Sequence, residues 1–110
     1  GFFARWYVPS NASLVVAAGI PESWVRSARG VSVKGLRTPW GPLDLSLGAD
    51  GPVLRARLSG LAAVPPGGVV LKPPFPSSPR TATVNGRAIA LSPAGEVVVR
   101  ELPSEVVLTP

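Results

Sequence analysis

Acid–base chemistry in this chain can draw only on six carboxylates, two lysines and one tyrosine, because it contains no His and no Cys. That excludes imidazole and thiol catalysis, disulfides, and any metal site built on Cys or His. The reaction best served by what remains is glycoside hydrolysis, which needs two carboxylates roughly 5–10 Å apart across a sugar. Asp44 and Asp50 lie on and just after one strand-like run, and Glu101 and Glu105 flank a Pro-Ser turn. Neither pair sits in a recognisable motif, and both read as solvated surface charge. No catalytic residue, metal ligand or cofactor is assigned. Gly67-Gly68 precedes no helix and has no phosphate-loop spacing, so it reads as a β-turn.

Binding chemistry is the next possibility. A sugar ring stacks its C–H faces on an exposed indole, and Trp40 sits between Pro39 and Gly41 with Arg37 and Thr38 near enough to reach a hydroxyl. These three residues are the candidate oligosaccharide contact. The competing reading has Trp40 folded inward, capping the core. Phe2, Phe3, Trp6 and Tyr7 crowd the N-terminus, and with Trp24 they are candidate interdomain contacts; a strand paired into the sheet is the other reading of that aromatic segment. Asn11-Ala12-Ser13 matches a glycosylation acceptor but reads better as a turn.

Charge does not single out a polyanion partner. The chain carries 11 basic and 6 acidic residues, a net +5, yet the basic residues are scattered and form no run. The densest cluster, Arg55 and Arg57, shares one strand face. Nucleic acid is therefore not expected as a partner, although a basic polyanion-binding domain stays open as an alternative. The longest apolar run, Leu14 to Ile20, is far below the ~20 residues of a membrane helix. With no Met, and Gly at position 1, the chain reads as a piece of a longer protein.

The elements that would position these residues are short. The chain is 45% hydrophobic, and it holds 12 Gly and 14 Pro among 110 residues. Enough apolar surface for a core, divided by frequent turns, means short strands. Leu14 to Ala18 reads as a buried strand, and Glu22 to Ser27 as a short helical turn opened by Pro21. Val31 to Leu36 alternates, with Val31, Val33 and Gly35 on one face and Ser32, Lys34 and Leu36 on the other. Residues 38–42 read as a turn-rich link. Leu43, Leu45 and Leu47, then Leu54, Ala56 and Leu58, show a period of two across a short loop, a hairpin pattern. Val69 to Leu71 is a further strand, and residues 73–79 form a Pro-rich loop. Asn85-Gly86, between Thr81–Val84 and Arg87–Leu91, is the preferred two-residue hairpin turn. Glu96 to Leu102 and Glu105 to Leu108 close the chain as strands. The expected fold is an all-β antiparallel sandwich of about eight to nine short strands with one helical turn. Residues 13–110 would form this single domain, and residues 1–12 would be a segment from a preceding domain or linker.

Several phrases also carry a resemblance. Leu14-Val15-Val16-Ala17-Ala18-Gly19-Ile20-Pro21-Glu22-Ser23-Trp24-Val25, Thr38-Pro39-Trp40-Gly41-Pro42-Leu43, Pro66-Gly67-Gly68-Val69-Val70-Leu71, Val84-Asn85-Gly86 and the valine-rich final strands stand in the order seen in one kind of domain. Together they resemble the C-terminal β-sandwich of bacterial multidomain glycoside-hydrolase-like proteins, including those labelled coagulation factor 5/8 type or discoidin-like. The C-terminal sandwich of α-L-rhamnosidases is a more distant parallel. In such proteins the catalytic carboxylates lie in an upstream barrel, and no position here matches them. The resemblance implies a non-catalytic accessory domain that packs on or shapes a preceding catalytic domain of the same polypeptide, secreted or periplasmic. A stand-alone carbohydrate-binding module using Trp40 is the alternative from the residues themselves.

Overall fold

The structure, a computed structural model, describes residues 4–6, 13–17, 22–27, 30–72 and 81–109. It is a β-sandwich of two sheets. The strands are β1 (Ala4–Trp6), β2 (Leu14–Val16), β3 (Val31–Thr38), β4 (Gly41–Asp50), β5 (Val53–Ser59), β6 (Val69–Leu71), β7 (Thr81–Val84), β8 (Arg87–Ile89), β9 (Val97–Val99) and β10 (Ser104–Thr109). One helical turn, α1 (Glu22–Val25), stands between β2 and β3. The smaller sheet has the order β1-β2-β6-β9 and the larger β3-β4-β5-β10-β7-β8.

The core follows from the period of two. On the larger sheet Leu43, Leu45 and Leu47 of β4, Leu54, Ala56 and Leu58 of β5, and Val106 and Leu108 of β10 are buried. Facing them are Ala4, Leu14, Val16, Val69, Leu71, Val97 and Val99 of the smaller sheet. Each fully buried Leu or Val contributes about 1.5–3 kcal/mol relative to exposure. Among the described residues the largest fully buried side chains are all Leu and Val, with no aromatic among them. Within the aromatic N-terminal segment, β1 pairs antiparallel with β2, Ala4 opposite Val16, so residues 4–6 are part of the sheet.

Most pairs are antiparallel, as expected, but β2 and β6 run parallel, with Leu14 opposite Val69. A parallel pair needs a long connection, and residues 17–68 supply it by building α1 and three strands of the opposite sheet on the way. The hydrogen bonds Leu14 N–H to Gly68 O (3.1 Å) and Lys72 N–H to Val16 O (3.0 Å) lengthen this seam beyond the strands.

Several expectations differ from the fold. The strand expected over Glu96 to Leu102 spans only Val97–Val99, because Pro103 and the Glu101–Ser104 turn end it, and the one expected over Arg87 to Leu91 ends at Ile89. Strict alternation put Leu36 beside Ser32 and Lys34. Instead a bulge shifts the β3–β4 register between Val33 and Leu36, and Leu36 packs on the core opposite Leu43. Gly35, at φ 67°, takes up the extra residue and donates its N–H to Asp44 Oδ1 at 2.9 Å. The link at residues 38–42 is a tight hairpin instead, because Thr38 and Gly41 already pair. The helical turn ends at Val25, two residues before its expected end.

Leu45 is 1% exposed between the sheets. Leu45→Ala is expected to cost about 2–5 kcal/mol, read as a lower urea midpoint with an unchanged slope. A loss within 0.5 kcal/mol would place Leu45 outside the packed core.

Candidate functional site

The Trp40 turn is built from its own backbone. Thr38 Oγ1 donates to Gly41 O at 2.7 Å and accepts from Trp40 N–H at 3.2 Å. Gly41 holds φ 111°, and a Cβ there would lie 2.9 Å from the Ala62 nitrogen. The close approach lets Ala62 N–H reach Trp40 O at 2.9 Å. The indole is half-buried and packs against the aliphatic core. Of the three candidate sugar contacts, Thr38 therefore spends its hydroxyl inside the turn, and Trp40 covers the core. Arg37 is exposed.

The candidate interdomain residues divide differently. Phe2, Phe3 and Tyr7 lie outside the described residues, as does Asn11 of the glycosylation match, and of Trp6 only the backbone is described. Trp24 is on α1, 46% exposed, with its carbonyl accepting from Ser27 Oγ at 2.8 Å. Alongside Val98 it is one of the two exposed large hydrophobics among the described residues.

The carboxylates are held in structural contacts. Glu96 meets Lys72 at 3.1 Å, Glu105 meets Arg57 at 3.3 Å and Arg55 at 4.0 Å, and Glu101 binds Arg87. Asp44 serves the Gly35 bulge. Four of the basic side chains are thus matched, Arg55 and Arg57 on β5, Lys72 just after β6 and Arg87 on β8, and among the described residues no cluster of three potential ligands could hold a metal ion. No helix is long and apolar enough to cross a membrane among the described residues.

Sequence reading saw Asn85 only as a turn residue at positive φ, which it is, at 52°. Its side chain does more. Asn85 Oδ1 accepts Glu105 N–H at 2.9 Å, and Nδ2 lies 3.3 Å from both Glu101 Oε1 and Pro103 O. The Asn85 N–H also donates to Glu105 O at 2.9 Å. The carboxamide ties the β7–β8 hairpin to the loop entering β10, where Ser104 Oγ donates to Glu101 O. Two hollows flank this tie. One, about 330 Å³, is lined by Arg57, Ser59, Asn85, Pro103 and Glu105 among others. The other, about 420 Å³, runs between the outer edges of β8 and β9, with Val84, Ile89 and Val98 beside Arg87, Arg100 and Glu101. No sequence signal foretold either hollow, since each gathers residues from separate strands.

The one carboxylate lining the larger hollow, Glu101, is paired with Arg87. Two substitutions probe these contacts. Trp40→Ala is expected to destabilise the fold by about 2–4 kcal/mol in a thermal melt, and an unchanged melt would refute the packing role. Asn85→Asp keeps the turn chemistry but replaces the Nδ2 donor with a second anion beside Glu101. It is expected to cost about 1 kcal/mol, more at neutral than at acid pH, because protonating the new carboxyl relieves the repulsion. No protein family, curated protein or solved structure matches this chain in sequence or fold.

Proposed function

We propose that the chain is a non-catalytic accessory β-sandwich domain of a larger carbohydrate-processing protein, packing on or shaping its catalytic domain. The observation that carries the non-catalytic reading is the use of Asp44, Glu96, Glu101 and Glu105 as bulge, strand and hairpin contacts. The carbohydrate setting rests on the sequence resemblance of the Leu14–Val25, Thr38–Leu43 and Pro66–Leu71 phrases. For docking on a neighbour, the outer face of the smaller sheet offers Val15, Val70 and Val98, aligned in one row across β2, β6 and β9.

The purified chain is expected to turn over no member of a panel of aryl glycosides and oligosaccharides. Turnover that disappears when Asp44, Asp50, Glu96, Glu101 or Glu105 is replaced one at a time would overturn the proposal. Affinity gels containing oligosaccharide test the rival binding reading. Wild type is expected to migrate as in a blank gel, and retardation abolished by Trp40→Phe would favour a carbohydrate-binding module instead.

A further inference from the structure

A sheet edge exposes a row of backbone donors and acceptors, and proteins usually guard it with charge, a bulge or a cover. Two edge strands here follow that rule. β8 carries Arg87, and β3 carries Lys34, Arg37 and the bulge at Gly35. β9 differs. It is Val-Val-Val, it pairs only with β6 among the described residues, and Val98 at its centre is 37% exposed. Val98 and Arg100 line a cleft open to solvent.

The residues around this edge read as a charge palindrome: Glu96, Val97, Val98, Val99, Arg100. We propose that β9 pairs antiparallel with β9 of a second copy, on a two-fold axis through Val98. Such contacts are self-complementary, each residue meeting its counterpart from the other copy. Val98 then faces the partner's Val98, Glu96 faces the partner's Arg100, and Arg100 faces the partner's Glu96. Opposite charges directly across an antiparallel pair are favourable.

The register is selective. Side chains opposite one another must share a sheet face, so the axis can move only by whole residues. Centred on Val97, the pairing sets Val98 against the partner's Glu96. Centred on Val99, it sets Val98 against the partner's Arg100. Only the Val98 axis matches valine with valine and both charges with their opposites. It also extends an existing contact: Lys72 already meets Glu96 at 3.1 Å, so the row becomes Lys72, Glu96 and the partner's Arg100, alternating in sign. The valine row of the outer face, Val15, Val70 and Val98, continues into its copy across the axis. The joined edge is only three residues long on each side, which places the association among weak, small interfaces. This inference is independent of the carbohydrate setting.

Sedimentation velocity up to about 1 mM chain, where millimolar association becomes visible, tests it. Wild type is expected to show a concentration-dependent rise in sedimentation coefficient that weakens with salt. Glu96→Arg and Arg100→Glu should each weaken association about tenfold, since each sets like charges face to face. An equimolar mixture of the two variants should restore it, because each altered edge then meets its opposite. Circular dichroism melts confirm that the variants are folded. For wild type alone, amide shifts that move with concentration should centre on residues 96–100. A wild type that stays monomeric, variants that associate like wild type, a mixture that does not recover, or shifts centred on another edge would each overturn the proposal.

Discussion

Every other feature of this molecule depends on the meeting of two aliphatic sheet faces. The inward residues of β4, β5 and β10 form one continuous surface of Leu, Ala and Val, and those of β2, β6 and β9 form the other. Neither face is stable in water alone, and stacked sheets about 10 Å apart leave room for one interdigitated layer of such side chains. Among the described residues the largest fully buried side chains of that layer are all Leu and Val. Aromatics that do touch it, such as Trp40, do so from the rim.

Holding two sheets of unequal size in register requires devices at their margins. The parallel β2–β6 seam locks the smaller sheet by a connection that passes through the larger one, so the two sheets cannot form independently. The Gly35 bulge bends β3 so that Leu36 turns inward instead of being stranded on the solvent face. The Asn85 carboxamide binds the β7–β8 hairpin to the approach of β10. The last two devices each use a polar side chain, Asp44 and Asn85.

The edges tell a consistent story. Surface ion pairs add little stability one by one, so Arg57–Glu105 across β5 and β10, Lys72–Glu96 beside β6 and β9, and Arg87–Glu101 matter more as marks of pairing than as supports. The β9 edge, lacking a charge within the strand, is where the sandwich presents backbone and valine together.

Much of this was written in the chain itself. Alternation determined the inward sets of β4 and β5, and Asn85-Gly86 determined the β7–β8 turn, because period and left-handed tolerance are local properties of the residues. The burial of Leu36 was not legible, since a bulge is chosen by the partner strand's needs and by Asp44 nine positions away. Nor was the role of Trp40: Pro and Gly neighbours announce a turn, but only the approach of Ala62 and the core beneath decide which way the indole lies. The hollow between β8 and β9 and the exposure of Val98 arise from which strands become edges. That is set by the order of the sheets, a long-range outcome of packing that no local pattern of side chains encodes.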